Sequence, residues 1–473
     1  MIFNSFYFLI VFPLLFLAYY LIPAKALKWR NSYLLIVSYL LYTNWKPAYA
    51  LILLSVTVVT YFFAKWIDKS NDRRKFIALG GVFVALLPLL LFKYYNFINN
   101  NVYDLLITIG MRFHLPGLNW AIPIGISFFT FQALGYMLDV YYKSTIVEKD
   151  FLTYALFVSF FPSIVAGPIN KASLIIPQLK AIRPYFNYCK AVEGMKVILW
   201  GMFMKVVVAD RVALYVDTVL PNYMNYTGMT CLVASILYSI QIYADFAGYS
   251  LMAIGVGKTL GFELTENFRR PYFAVSVTDF WHRWHISFST WLKDYVYIPL
   301  GGNRCSKMRT YWNIFVTFLV SGIWHGANWT FIIWGCIHGL IQIIEKQLGI
   351  QKYNEINRII KFGRIMTTFG IVTMAWIFFR MPSINDAINV ISRIFDMSLP
   401  MTIYISALPT PPLILIGCTL LFIKDFRDEI QPPKVEYMNS SSTIVRWMTY
   451  TGLIILILLM GVFSSDQFIY ANF

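Results

Sequence analysis

Charge is what this sequence has least of. Of its 473 residues only 13% are Asp, Glu, Lys or Arg, against 58% hydrophobic, with a mean hydropathy of +0.61. Soluble domains carry about 25% charged and about 45–50% apolar residues. A soluble globular enzyme and a disordered chain are both excluded. Cysteine is scarce as well. The five residues Cys189, Cys231, Cys305, Cys336 and Cys418 show no paired or metal-ligand spacing and read as reduced, structural thiols. There is no repeat between halves, no low-complexity tract and no soluble domain. The missing repeat argues against a transporter, whose folds often show repeated halves and paired broken helices.

What the chain does have is apolar runs of about 17–25 residues, the length that crosses roughly 30 Å of hydrocarbon. Continuous runs such as Leu453 to Val462 are helical in character, since a barrel needs short alternating strands. The sequence predicts an all-α polytopic membrane protein. Spans are expected at Phe6–Ile22, Ser32–Asn44, Ala48–Ile67, Ile77–Phe92, Ile122–Tyr141, Phe151–Ala166, Val192–Ala209, Leu232–Val256, a divided region Trp312–Ile344, Ile365–Phe379, Ile405–Ile423 and Met448–Phe463.

The net charge of +16 points to basic cytoplasmic loops, and to an anionic ligand, before nucleic acid. Lys25–Arg30, Lys65–Lys75, Lys171–Lys190, Lys258–Arg309, Lys346–Arg364 and Lys424–Arg446 are expected inside. The N-terminus and the tail Ser464–Phe473 are expected outside. Two parity conflicts follow. Between Lys93 and Lys171 an odd number of crossings is required but two spans are evident, so either Leu105–His114 enters the membrane or one apolar run is re-entrant. Trp312–Ile344 begins and ends beside basic loops and must turn round, most naturally within Ser321–Asn328, where two glycines and an Asn weaken a membrane helix. His325 then lies well inside the membrane, where irregular backbone is tolerated only if it lines an enclosed or wet cavity.

Five histidines occur: His114, His282, His285, His325 and His338. His325, between Trp324 and Gly326, is a buried ionisable group, functional by default or else a hydrogen-bonded core histidine. His338 reads as structural and His114 as interfacial. Asp279, His282 and His285 recur at i, i+3 spacing on one helical face of an expected interfacial helix over Phe280–Tyr297. That face is an incomplete metal site, a basic-aromatic belt or a histidine reaching into the His325 cavity. Among other embedded polar groups, Gln132, Asp139, Gln241, Asn328 and Asp245, the last orients a histidine, pairs with a lysine such as Lys205, or bonds a buried donor. Lys293, Arg304, Lys307 and Arg309 surround Pro299–Asn303 and serve either phosphates or topology.

The run Asp279 to Arg304, DFWHRWHISFSTWLKDYVYIPLGGNR, followed by SGIWHGAN at Ser321–Asn328, resembles the membrane-bound O-acyltransferase family, and within it the bacterial alginate O-acetyltransferase type. The resemblance extends to Met1–Leu21, Ile124–Asp139, Phe161–Gln178 and Ala244–Phe268. His282 stands where Arg is commoner, and Ala247 with Leu251 replace the family's usual Ser and Asp.

The resemblance implies a single membrane domain of about 11–13 membrane helices, re-entrant segments included, around a central tunnel. Residues 1–95 form N-terminal helices, 119–345 the catalytic core and 365–473 the C-terminal helices. It places catalytic roles on His325 and His285. Asp245, Trp281, His282, Trp284, Ser289, Trp324 and Asn328 are expected to line the tunnel or bind substrate. Arg283, Lys293, Arg304, Lys307 and Arg309 are expected near CoA phosphates, and no metal is implied. Acetyl-CoA is the expected donor substrate, with no bound cofactor. A polysaccharide and an extracytoplasmic acetyltransferase of the SGNH type are the expected partners at a bacterial cytoplasmic membrane. Related D-alanyl exporters take their acyl group from a carrier protein, and a transporter or scaffold subunit is the reading from another class. Acyl transfer from a thioester needs a base, oxyanion donors and a dry site; His325 suits the first, and His285 or Asn328 the second.

Overall fold

The computed structural model describes residues 3–463 except 4, 44–45, 114, 184, 351–356, 397, 399, 405–410, 431–437 and 439–441. His114 and the tail Ser464–Phe473 therefore lie outside the described residues. Among the described residues all regular structure is helical. The chain divides into two compact units, one mainly of Phe6–Ala191 with Gly257–Thr265, the other mainly of Val192–Val256 with Glu266–Phe473.

The first unit opens with α1 (Phe6–Leu21), α2 (Leu27–Thr43), α3 (Pro47–Lys69) and α4 (Arg74–Thr108), of which α3 and α4 are long and apolar enough to cross a bilayer. α4 passes without interruption through a π-helical turn at Leu90–Tyr94. Leu105–Thr108 is thus the end of α4 and not a helix of its own, while His114 lies outside the described residues.

α5 (Ile126–Tyr141), α6 (Phe151–Ser159) and α7 (Ala172–Lys180) complete this unit. The apolar run Phe151–Ala166 is a correction to the expected spans. Only nine residues are helical, and Phe160–Gly167 folds into buried turns. At 1.5 Å per residue that helix reaches about 13.5 Å, less than half the hydrocarbon thickness. Side chains satisfy backbone groups in and beside this irregular continuation: Phe161 N donates to Ser38 Oγ (3.1 Å), and Gln132 donates Nε2–H to Phe157 O (2.6 Å) and accepts from Asn170 N (3.1 Å).

The second unit holds α8 (Tyr188–Met202), a π-helical turn Phe203–Ala209, α9 (Asp210–Val219) and the 32-residue α10 (Gly228–Thr259). It continues with α11 (Val277–Arg283), α12 (Ile286–Leu292), α13 (Lys307–His325), α14 (Trp329–Gln347), α15 (Arg358–Arg380), α16 (Ile384–Ile394), α17 (Pro411–Ile430) and α18 (Thr443–Met460). The spanning candidates here are α10, α15 and α18. In α10, 72% of the most apolar stretch is buried inside the protein, against 17% in α18.

The divided region forms a hairpin of α13 and α14, as its charge pattern requires. The break falls within the expected segment Ser321–Asn328: the first helix runs on past Gly322 to His325, and the chain turns at Gly326–Asn328. Gly322 serves another purpose: a Cβ there would stand 3.3 Å from Gly335 Cα and collide with Phe331 O, so the two helices pack backbone against backbone. We expect Gly322→Leu to lower stability by at least about 1–3 kcal/mol, the usual cost of overpacking. Thermal unfolding in detergent checks this, and an unchanged midpoint would contradict the close packing.

Candidate active site

The site is built on the break between α11 and α12. Two side chains cap the start of α11. Ser276 Oγ accepts from Asp279 N (3.0 Å), and Glu345 of α14 accepts from Val277 N (2.5 Å), Thr278 N (2.9 Å) and Thr278 Oγ1 (2.7 Å). Hydroxyl and carboxylate oxygens are the favoured partners of the free N–H groups there.

The helix stops after Arg283, and His285 takes a left-handed backbone, φ 45° and ψ 52°. The continuous interfacial helix expected over Phe280–Tyr297 does not form. An irregular strip at 266–270 takes up its backbone groups instead, with Ile286 N donating to Asn267 O (2.9 Å) and Arg269 N to Arg283 O (2.8 Å). The expected common face of Asp279, His282 and His285 is broken with it. His282 is exposed on α11, whereas His285 is fully buried, and the metal reading of that face falls.

Asn267 fixes the His285 ring. Its Oδ1 lies 3.1 Å from His285 Nδ1 and also accepts from Ser287 N (3.2 Å) and Ser287 Oγ (2.9 Å), while Nδ2 donates to Ser250 Oγ (3.1 Å). A backbone N–H donates to this amide atom, so it is the oxygen, and Nδ1 must carry the ring hydrogen. Nε2 then presents its lone pair. Burial pushes the His285 pKa down to about 3, which keeps the ring neutral near pH 7. A neutral His285 of this tautomer accepts protons, and the oxyanion-donor role expected for it does not fit.

His325 is the last residue of α13 and is 2% exposed. Its ring centroid lies 4.9 Å from Trp324, 4.9 Å from Trp334, 5.2 Å from Phe379 and 5.6 Å from Phe288. Phe288 is also 5.0 Å from His285, and Trp324 6.0 Å from it, so the two histidines share aromatic neighbours. The sequence separates them by forty positions; the fold places them in one cluster.

Asn328 caps α14 by accepting from Thr330 N (3.1 Å) and donates to Pro382 O (2.8 Å), which ties the break to the turn after α15. His338 accepts from Trp281 Nε1 (3.3 Å), as a structural histidine does. Trp284 is fully buried and stacks on Phe280 at 5.4 Å. Trp334, fully buried beside His325, has an indole N–H with no hydrogen-bond partner among the described residues.

A cavity of about 470 Å³ reaches this cluster through Trp281 and Ile286, although neither His285 nor His325 is among its lining residues. Trp281, Ile286, Leu292, Ile314 and Phe318 give it an apolar lining, and His282, Ser289, Lys293, Tyr297, Asn303 and Lys346 a polar one. The basic residues expected near phosphates separate here. Lys293 lines the cavity. Arg283 pairs with Asp279 (3.0 Å) and Glu429 (2.9 Å), and Arg304, Lys307 and Arg309 are exposed and absent from the lining. Lys346, which the sequence marked only as the start of a basic loop, donates to Asn303 Oδ1 (2.6 Å) at the cavity.

Asp245 pairs with Lys205 (2.5 Å), one of the roles its position allowed, and Lys205 also holds Asp210 (2.6 Å). All three side chains are 1% exposed. α8 and α10 pass close enough for this because position 248 is glycine; a Cβ there would stand 3.0 Å from Lys205 N.

The model of the membrane-bound O-acyltransferase family matches residues 37–379, which include both buried histidines of the cluster. The chain is 38% identical over 401 residues to a probable alginate O-acetylase of Pseudomonas aeruginosa, covering 84% of this chain and 75% of that protein. To a peptidoglycan O-acetyltransferase of Helicobacter pylori it is 34% identical over 430 residues, covering 84% and 80%. A teichoic acid D-alanyltransferase of Bacillus subtilis is 27% identical over 318 residues, 64% of this chain and 78% of that one. Broken helices that bury two imidazoles in a multi-pass membrane protein thus coincide with the matched region, and the chain belongs to the membrane-bound O-acyltransferase family, whose enzymes are O-acyltransferases.

Proposed function

We propose that this protein takes acetyl groups from cytoplasmic acetyl-CoA and passes them across a bacterial cytoplasmic membrane for O-acetylation of an extracytoplasmic polysaccharide. The observation that carries the reading is the pairing of His285 and His325 around Phe288 and Trp324, next to a cavity with two lysines at its wall. Alginate and peptidoglycan, named for the relatives' activities, are both polysaccharides, which supports that acceptor class. An extracytoplasmic acetyltransferase of the SGNH type is the proposed relay to it.

The chemistry follows from the residues. The acceptor hydroxyl attacks the thioester carbonyl while a neutral imidazole, His325, takes its proton. The carbonyl electrons move onto oxygen, and the unpartnered indole N–H of Trp334, whose ring lies 4.9 Å from that of His325, is the proposed donor to that oxyanion. Collapse of the tetrahedral intermediate expels the CoA thiolate, to which the proton on His325 is returned. His285 Nε2 is a second acceptor in the same enclosure, suited to a two-step transfer in which an imidazole carries the acetyl group transiently. The aromatic lining excludes water that would hydrolyse the thioester.

CoA phosphates are proposed to lie against Lys293 and Lys346, with the apolar floor of the cavity taking the pantetheine arm. Replacing both lysines by Gln is expected to raise KM for acetyl-CoA by about 10-fold or more with kcat little changed, because loss of uniform binding leaves the chemical step alone. The difference should shrink as salt is raised. Steady-state kinetics in proteoliposomes with labelled acetyl-CoA checks it, and an unchanged KM would remove the donor from this cavity.

The D-alanyl route is the second reading, favoured by the similarity to the Bacillus subtilis enzyme. The same assay separates the two, since a carrier-protein enzyme releases no CoA from acetyl-CoA.

A further inference from the structure

We propose that Asn267 is the positioning residue that holds His285 in its working backbone, rotamer and tautomer; this rests on the reading of His285 as a catalytic group. Asn267 is 1% exposed and engages three consecutive residues. Its carbonyl accepts from Ile286 N (2.9 Å), which ends the α11 hydrogen-bond ladder. Its Oδ1 accepts from Ser287 N, Ser287 Oγ and His285 Nδ1–H, and its Nδ2 is committed to Ser250 Oγ of α10. The left-handed backbone of His285 is strained for a residue with a Cβ and persists only where its surroundings over-determine it. These bonds supply that determination.

The tautomer matters more than the strain. A neutral imidazole has two forms, and only the one protonated at Nδ1 turns a lone pair outward from Nε2. Asn267 Oδ1, fixed as an acceptor by the Ser287 N–H, lies 3.1 Å from Nδ1 and so favours the form that carries its hydrogen there, among the ring faces and edges of Phe246, Phe268, Phe288 and Trp324. Leucine at 267 would keep the volume and lose the acceptor. Aspartate keeps the acceptor, and the Ser250 hydroxyl can then turn to donate to it.

Three variants in proteoliposomes test this: Asn267→Leu, Asn267→Asp and His285→Gln. Asn267→Leu is expected to lower kcat about 10–100-fold, the usual cost of losing a partner that orients a functional histidine, with KM for acetyl-CoA within about twofold. Asn267→Asp is expected to recover most of the rate. A second readout needs no turnover: in 15N-histidine NMR spectra of the protein in nanodiscs, His285 should show the Nδ1-protonated pattern, retained in Asn267→Asp. Asn267→Leu should mix the two tautomers.

An unchanged His285 spectrum in Asn267→Leu, or equal loss of rate in the Leu and Asp variants, overturns the proposal. If Asn267→Leu fails to fold, recovery and the Nδ1-protonated spectrum in Asn267→Asp decide it alone. Full activity of His285→Gln would instead sink the catalytic reading of His285. An inactive His285→Gln beside a fully active Asn267→Leu would sink only the positioning role.

Discussion

Replacing His325 by alanine is expected to abolish measurable acyl transfer while leaving a folded, membrane-inserted protein. General-base assistance is typically worth about 10²–10⁴-fold, and nothing smaller than that range fits a residue that accepts the proton of the attacking hydroxyl. The side chain sits among Trp324, Trp334, Phe379 and Phe288, so truncation also leaves a hole in an aromatic cluster. His325→Gln separates the two effects, because it keeps volume and polarity but offers no imidazole. Both variants should lose CoA release from labelled acetyl-CoA to a similar extent, with and without an extracytoplasmic partner. Near-normal turnover in either one, in protein of unchanged unfolding temperature, would remove His325 from the chemistry and favour a scaffold role.

The largest stability effect is expected away from the cavity, at Lys205. Its ammonium lies between Asp210 (2.6 Å) and Asp245 (2.5 Å), and each side chain is 1% exposed. Removing one member of a buried ion pair strands a charge in a low dielectric, at a cost of about 3–5 kcal/mol. Lys205→Met strands two carboxylates at once. We expect a sharply lowered unfolding temperature in detergent and poor recovery from membranes. The triple variant Lys205→Met, Asp210→Asn, Asp245→Asn should regain much of the loss, since neutral groups can be buried with hydrogen bonds alone. Equal stability of Lys205→Met and the unaltered protein would mean that this cluster does not hold the π-helical turn, α9 and α10 together.

Much of the site was legible in the sequence because rarity made it so. Among so few charged residues, a histidine inside an apolar segment stands out, and the divided Trp312–Ile344 followed from charge parity alone. The pairing of Asp245 with Lys205 was within reach because buried charges in lipid need partners. Asn267 and Lys346 were not legible. Asn267 lies in a polar interruption where an asparagine is ordinary, and only the return of that strip beside α11 gives it a purpose. Lys346 looked like one more topology charge until the end of α14 placed it at the cavity beside Lys293.

The expected helix over Phe280–Tyr297 failed for a specific reason. Periodicity reports which face of a helix is apolar, but it is blind to a competing backbone partner, and here Asn267 accepts from the Ile286 N–H. That one exchange exposes His282 and buries His285.

By itself the sequence determined the solvent and the class of the protein. Scarce charge and recurrent apolar runs leave only a helical membrane protein, because in hydrocarbon the backbone must satisfy its own hydrogen bonds. Composition and local period act at every residue, so they can be read without the fold. Tertiary structure alone decided which polar groups come together: His285 with Asn267, Lys293 and Lys346 in the lining of one cavity, and His285 and His325 around the same rings. Those encounters join distant segments through side-chain packing and backbone competition, and no local pattern encodes either.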